Sequence, residues 1–153
     1  MIIDFRGLHW IRGYERNNPI IVLCHGCYDI LTVSHIRHLE FAKSRGDLLI
    51  VSVTADIYVN KGTNRPHFKD EHRAKMVSAL NCVDYVTVSR FETAIPVIEA
   101  LKPHVYVKGL DTKESEIFKR EREAVEKHGG RILFSPNVWE QHTSDVEKTL
   151  RAE

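Results

Sequence analysis

Short apolar runs alternate with amphipathic segments along the chain, and no other feature restricts the fold as strongly. Residues 20–24 form a continuous, β-branched run that is typical of a strand buried on both faces. Further strands are predicted at residues 48–54, 85–88, 104–108 and 131–134. Helices are predicted at residues 34–45, 70–81, 94–101 and 114–128, with a last one from Thr143 or Ser144. The alternation predicts an α/β fold with a doubly wound parallel sheet of about five strands.

The length of the chain suits one domain, since 153 residues can bury a core and no linker or low-complexity tract interrupts the pattern. We therefore expect residues 1–153 to form a single domain. Within it, residues 1–19 are expected to form an arm or helix against the edge of the first strand, and residues 20–153 the core.

Charge and composition exclude several classes of function. Lys and Arg number 22 against 21 Asp and Glu, and the net charge of +1 provides no broad basic surface for nucleic acid or anionic lipid. No apolar run is long enough to span a membrane, and Asp4 and Arg6 interrupt the first apolar stretch, unlike a signal peptide. Three cysteines are an odd number in a chain that needs no disulfides. These features predict a cytoplasmic protein with reduced thiols and with no nucleic-acid or membrane partner.

Ligands of doubly wound sheets bind beyond the carboxyl ends of the strands. The loop that follows the first strand contains Gly26, which allows close approach of the backbone, and leads into a helix near Ser34. The helix N-terminus offers N–H groups to a phosphate, and His35 in its first turn would face the same anion. Alternatively, Ser34 only caps the helix and His35 is a half-exposed polar residue; the residue types alone leave both interpretations open.

Three further loops should converge at the same edge of the sheet. Residues 61–75 contain five cations against Asp70 and Glu71, which suits an anion site, although composition alone favours an ordinary solvated start of a helix. Lys108 and Gly109 follow the fourth strand, where Gly109 would let the backbone approach a ligand and Asp111 or Thr112 could cap a turn. The last predicted helix opens with hydroxyl side chains that could hold phosphates or act as a simple N-cap. The five cations are Lys61, Arg65, Lys69, Arg73 and Lys75.

These motifs, taken in order, resemble the cytidylyltransferase-like nucleotidyltransferases. The sequence of residues 26–31, followed by His35 and Leu39, is similar to the family signature G-x-F-D-x-x-H-x-G-H-x-x-x-L. Within the family it is most similar to the heptose-phosphate adenylyltransferase and glycerol-3-phosphate cytidylyltransferase branches. The resemblance covers residues 20 to about 145. It continues through residues 46–53, Lys61-Gly62, Arg65-Pro66, Glu71-His72-Arg73, residues 83–86 and residues 107–111.

The resemblance implies a Rossmann-like fold and transfer of a nucleoside monophosphate from CTP or ATP to a phosphorylated small molecule, such as a phosphosugar or phospho-polyol, with release of pyrophosphate. Mg²⁺ would arrive with the nucleotide, with no dedicated protein metal site, and a homodimer is expected. It implies catalytic roles for His35, Lys61 and Arg73, and contacts to the acceptor from Arg65 and Arg73. The nucleotide-binding residues that it implies are Gly26, Cys27, Tyr28, Asp29, Thr32, His35, Lys61, Lys108, Gly109, Asp111, His142, Thr143 and Ser144.

The sequence departs from the family pattern in the site itself. Thr32 stands where the family has its first histidine, and Ser34 where it has glycine. Asn137 and Glu140 stand at the arginine and glycine of the late motif, and His142 at its first serine. Either His142 and nearby arginines compensate for an unusual acceptor, or the protein is a nucleotide-binding or regulatory protein that has lost the reaction. A third interpretation makes it one component of a larger enzyme with a kinase partner.

Two other chemistries are less favoured. Cys24 and Cys27 form a C-x-x-C pair, but redox pairs start a helix, and here the predicted helix begins seven residues after Cys27. A zinc site lacks a second paired spacing, and His35 and His38 alone are weak evidence for a metal.

Overall fold

The computed structural model describes residues 1–14, 18–110, 112, 114–136, 148 and 151. The strands are β1 (Ile21–Gly26), β2 (Leu48–Thr54), β3 (Tyr85–Ser89), β4 (Val105–Gly109) and β5 (Arg131–Ser135). The helices are α1 (Gly7–Tyr14), α2 (Val33–Lys43), α3 (Asp70–Ser78), α4 (Ile95–Leu101) and α5 (Glu116–Lys127), with a 3-10 turn at Asp56–Tyr58.

Within the described part of the chain the strands form one parallel sheet in the order β3-β2-β1-β4-β5. This confirms the predicted α/β fold with a doubly wound, Rossmann-like sheet of about five strands. Each predicted strand and each described helix after α1 lies within about three residues of its predicted bounds, since apolar periodicity is a local property of the chain. The helix predicted from Thr143 or Ser144 lies outside the described residues.

The two faces of β1 explain its continuous apolar sequence. Val22 and Cys24 face a core cluster that contains residues of α2 and α3. Ile21 and Leu23 face a second cluster with residues of α1, α4 and α5. A central parallel strand covered by helices on both sides has no solvated face, and its side chains are therefore apolar at successive positions.

The N-terminal residues add an arm to the sheet before α1 begins. The N–H of Ile3 donates to the carbonyl of Val86 (2.8 Å), and the N–H of Val86 donates to the carbonyl of Met1 (2.8 Å). The arm thus pairs with β3, and not with β1 as the sequence analysis expects. The reason is topological: β1 lies between β2 and β4, so it has no open edge.

Strands β1 and β4 separate before their carboxyl ends, which opens a crevice. Pairing of β1 with β2 continues to Gly26, whereas the paired residues of β1 and β4 are Val22 with Val105 and Leu23 with Tyr106. The chain winds from β1 towards β3 on one side and through β4 and β5 on the other, so this gap is the topological switch point. Ligands bind there in open α/β sheets.

Candidate nucleotide-binding site

The loop after β1 is built around a close contact between Gly26 and Tyr28. Tyr28 has a left-handed backbone (φ +52°) and a buried ring. A Cβ on Gly26 would lie 3.1 Å from this ring, so a side chain there would displace the ring or the loop. Burial also raises the pKa of the Tyr28 hydroxyl, which keeps it protonated. Gly26 therefore serves the packing of this loop as well as any approach of a ligand.

Asp29 ties this loop to the segment that precedes α3. Its carboxylate is 2% exposed and accepts hydrogen bonds from the N–H groups of His67 (2.9 Å) and Phe68 (3.0 Å) and from Nε of Arg65 (2.7 Å). Burial raises the pKa of Asp29, but these hydrogen bonds outweigh it and the net shift is downward. Asp29 and Arg65, each predicted from the sequence to contact a substrate, form a buried ion pair with each other.

Arg73 connects the loop after β1 to the segment that precedes α3. Its side chain is fully buried, and Nε donates to the carbonyl of Phe68 (2.8 Å), Nη1 to the carbonyl of Cys27 (2.6 Å) and Nη2 to the carboxylate of Asp56 (2.7 Å). The sequence analysis assigns Arg73 to phosphate and acceptor contacts. In the structure its side chain is fully buried, and it connects the loop after β1 to the segments that follow β2 and precede α3.

Lys61 and Cys27 differ in exposure, and the charge of Lys61 influences the Cys27 thiol. Lys61 is exposed, and Cys27 is half-buried. Burial raises the pKa of the Cys27 thiol, and the charges of Lys61, Arg73 and Arg65 oppose this rise without cancelling it. Cys24, the other cysteine of the C-x-x-C pair, is fully buried in β1, and burial raises its pKa strongly. Neither thiol is activated as a redox pair requires.

His35 lies in the first turn of α2, and Thr32 caps that helix. The N–H of Thr32 donates to Nδ1 of His35 (3.1 Å), and the Thr32 hydroxyl oxygen lies 3.0 Å from the same nitrogen. The arrangement is a capping box with histidine at the third helical position. The ring of Tyr28 meets the His35 ring edge to face, with centroids 5.6 Å apart.

At the end of β4, Lys108 belongs to a buried polar cluster. Its Nζ lies 3.6 Å from Glu121 and 3.4 Å from the hydroxyl of Tyr106, and its side chain is 18% exposed. Glu121 is itself buried and accepts hydrogen bonds from the hydroxyl of Tyr106 (3.1 Å) and from the N–H of Ala94 at the start of α4 (3.1 Å). Gly109 ends the strand, where its carbonyl accepts the N–H of Thr112 (3.0 Å).

His25 is a polar residue of this region that the sequence analysis missed. Its Nδ1 lies 3.1 Å from the Ser52 hydroxyl and its Nε2 lies 3.4 Å from the Thr54 hydroxyl. The pKa of His25 is lowered to about 4, chiefly by burial; the charge of Glu121 opposes this shift and the charge of Lys108 adds to it. The sequence carries no local signal for this role, because His25 simply continues an apolar strand.

His38, which the sequence analysis considers only as weak evidence for a metal, makes a structural contact. Its Nδ1 lies 2.6 Å from the hydroxyl oxygen of Ser135 at the end of β5, which links α2 to that strand. Among the described residues, no group of three or more His, Cys, Asp or Glu side chains is arranged to hold a metal ion. The remaining predicted residues, Asp111, His142, Thr143 and Ser144, lie outside the described residues, as do Asn137 and Glu140 of the late motif.

A comparison with protein families shows which family the chain belongs to. The sequence model of the family described as cytidylyltransferase-like matches residues 23–144. The chain belongs to the cytidylyltransferase-like family. The match begins within β1 and spans the positions of all the predicted site residues.

Curated relatives agree with the resemblance seen in the sequence. The chain is 40% identical over 146 residues to a bifunctional protein HldE of Geobacter metallireducens, covering 93% of this chain and 29% of the relative. It is 41% identical over 109 residues to a bifunctional protein HldE of Helicobacter pylori, covering 70% of this chain and 24% of the relative. The chain therefore spans less than a third of the length of these relatives.

Solved structures show the same architecture. A lipopolysaccharide core biosynthesis protein from Thermoplasma volcanium is 25% identical, with a TM-score of 0.66 over 80% of this chain and 99% of that one. A pantoate-beta-alanine ligase from Francisella tularensis is 15% identical, with a TM-score of 0.67 over 99% of this chain and 77% of that one, and shares the fold. Among the described residues, no helix of this family member has the length and apolar character needed to cross a membrane.

Proposed function

We propose that this chain transfers a nucleoside monophosphate from a nucleoside triphosphate to the phosphate of a sugar or polyol phosphate. The observation that carries the proposal is the family match over residues 23–144, which includes the loops after β1, before α3 and after β4. The similarity to bifunctional HldE proteins favours a sugar phosphate as acceptor, and the resemblance to heptose-phosphate adenylyltransferases favours ATP over CTP as donor.

The proposed reaction is an in-line displacement at the α-phosphorus. An oxygen of the acceptor phosphate forms the new bond, the bond between the α-phosphorus and its bridging oxygen breaks, and pyrophosphate leaves with that oxygen. The attacking phosphate is already ionised, so the protein needs no general base. Its contribution is to position both substrates and to stabilise the charge that develops on the phosphates.

The described residues divide into two proposed roles. His35 and the N-terminus of α2 offer hydrogen-bond donors to the triphosphate, and exposed Lys61 adds positive charge from the facing loop. The side chains of Asp29, Arg65 and Arg73 form hydrogen bonds that connect the loop after β1 with the segment before α3. We propose that they stabilise these loops and do not contact phosphate.

Mg²⁺ fits this site as a companion of the nucleotide. The buried carboxylate of Asp29 is already occupied by three donor groups, and no metal-binding cluster occurs among the described residues. The triphosphate oxygens would therefore supply most of the ligands, as is usual for nucleotide-bound Mg²⁺. The metal would neutralise phosphate charge. A homodimer and a cytoplasmic location stay predictions.

The first experiment measures thermal unfolding with ATP, CTP, GTP and UTP in the presence of Mg²⁺. A ligand at 100 times its Kd stabilises the fold by about 2.7 kcal/mol, which at about 2–4 °C per kcal/mol corresponds to several degrees. We expect one nucleotide to stabilise selectively, and pyrophosphate release when a suitable sugar phosphate is added. Lys61→Met should reduce both effects, whereas Lys75→Met, an equal loss of charge on the outside of α3, should not.

A nucleotide-binding protein without transferase activity is the second candidate, and Thr32 and Ser34 at the motif positions favour it. Selective stabilisation by a nucleotide without pyrophosphate release from any of a panel of sugar and polyol phosphates would support this candidate. An absence of stabilisation by all four nucleotides would contradict both candidates.

A further inference from the structure

The contacts of Nδ1 determine which nitrogen of the His35 ring carries the proton. The backbone N–H of Thr32 points at Nδ1 from 3.1 Å, and the Thr32 hydroxyl oxygen lies at 3.0 Å. A backbone amide nitrogen can only donate, so Nδ1 must accept with its lone pair. A neutral imidazole whose Nδ1 accepts a hydrogen bond carries its proton on Nε2.

We propose that Thr32 is a positioning residue that holds His35 as the neutral tautomer protonated on Nε2, so that His35 serves the triphosphate as a hydrogen-bond donor and not as a cation. The nature of the ligand rests on the proposed function, whereas the tautomer does not. This assigns to Thr32 a role other than the direct phosphate contact that the sequence resemblance implies.

Protonation of His35 is opposed from two sides. A proton on Nδ1 would set two N–H groups against each other across 3.1 Å. The ring also belongs to the third residue of α2, beside the positive end of the helix dipole, which disfavours a cation. Tyr28, packed edge to face against the ring, fixes the ring plane and contributes no charge while its hydroxyl stays protonated.

The arrangement also gives a reason for the altered motif. A second histidine at position 32 would add a side chain that can itself become positive. Threonine is uncharged, and its hydroxyl can donate to Nδ1 alongside its own backbone N–H. The backbone N–H of Thr32 thus occupies the lone pair of Nδ1, and the proton of the neutral ring is placed on Nε2.

Nuclear magnetic resonance of ¹⁵N-labelled protein tests the tautomer directly. Two-bond couplings distinguish the two ring nitrogens, and the signal that disappears in His35→Gln identifies His35. At pH 7.5 we expect a protonated Nε2 and an unprotonated Nδ1. A proton on Nδ1, alone or together with Nε2, would overturn the proposal. This readout needs no nucleotide and no activity, so its failure is distinct from failure of the proposed function.

A pair of substitutions tests the donor role. His35→Gln can place an amide N–H near the position of Nε2, whereas His35→Asn can place one only near Nδ1. With MgATP and MgCTP as probes, we expect His35→Asn to weaken binding about 10- to 100-fold, the loss for a hydrogen bond to a charged group, and His35→Gln to lose clearly less. Equal losses would contradict a donor at Nε2. If the wild-type protein binds neither probe, the proposed function fails, and the resonance measurement alone decides the tautomer.

Discussion

The guanidinium of Arg73 and the carbonyl oxygen of Cys27 lie 2.6 Å apart, which connects the start of α3 to the loop after β1. The same guanidinium reaches Phe68 and Asp56, so one fully buried side chain connects the segments that follow β1 and β2 with the segment that precedes α3. The sequence resemblance implies that Arg73 contacts the substrate phosphates. We instead expect Arg73 to position the loops around the substrates without touching them.

Replacement of Arg73 should therefore destabilise the fold. Arg73→Met leaves the carbonyls of Cys27 and Phe68 and the partly exposed carboxylate of Asp56 without their donor. Loss of hydrogen bonds made by a charged group costs about 1.5–3 kcal/mol. Urea unfolding measures this loss. Lys75→Met, on the exposed side of the same helix, should change the free energy of unfolding by less than about 0.5 kcal/mol. A small effect for Arg73→Met would show that the contacts are replaceable by water.

Gly26→Ala should lower both stability and nucleotide binding. The new Cβ would lie 3.1 Å from the Tyr28 ring, so the ring must shift, and strain of this kind costs about 1–3 kcal/mol. Gly13→Ala is the matched control, because a Cβ at Gly13 meets nothing within 4 Å and lies in a helix, where alanine is favoured. Thermal unfolding should separate the two variants in opposite directions, and equal behaviour would contradict the packing argument.

His25 should make stability depend on pH between about 4 and 6.5. Its pKa is lowered from 6.5 to about 4 in the fold, so the unfolded chain binds more protons in this window and stability rises with pH. The contribution, up to about 3 kcal/mol, is complete above pH 6.5 and is lost as the pH falls towards 4. His25→Asn cannot take up this proton. Urea unfolding at pH 5 and 7 should show a smaller pH difference for the variant, and parallel profiles would contradict burial of a neutral His25.

Glu121→Gln should weaken the cluster around Lys108. Ala94 and Tyr106 donate to different oxygens of the Glu121 carboxylate, so the single amide oxygen of glutamine can accept from only one of them. Glutamine also loses the charge that faces Lys108 at 3.6 Å. We expect a loss of about 1–3 kcal/mol, as for other buried charged groups, measured by urea unfolding. Glu123→Gln, an exposed position on the same helix, should leave stability nearly unchanged. A loss of equal size in both variants would assign the effect to the helix as a whole.

The sequence predicted the fold well because its evidence is local. Buried parallel strands such as Ile21–Gly26 are apolar at successive positions, and the amphipathic helices between them repeat along the chain, so element type and approximate bounds can be inferred without any contact between distant residues. The order and spacing of the motifs likewise indicated the family from the sequence alone, and the family comparison confirmed it.

Only the tertiary structure decided which strand the N-terminal arm pairs with and what the motif residues contact. Asp29 meets His67, 38 positions away, and Arg73 meets Cys27, 46 positions away. Such contacts depend on how the loops at the carboxyl ends of neighbouring strands come together. An arginine that faces a phosphate and an arginine buried between two loops have the same charge and can have the same spacing in the sequence. The sequence does not distinguish them, because burial arises only when distant segments pack together.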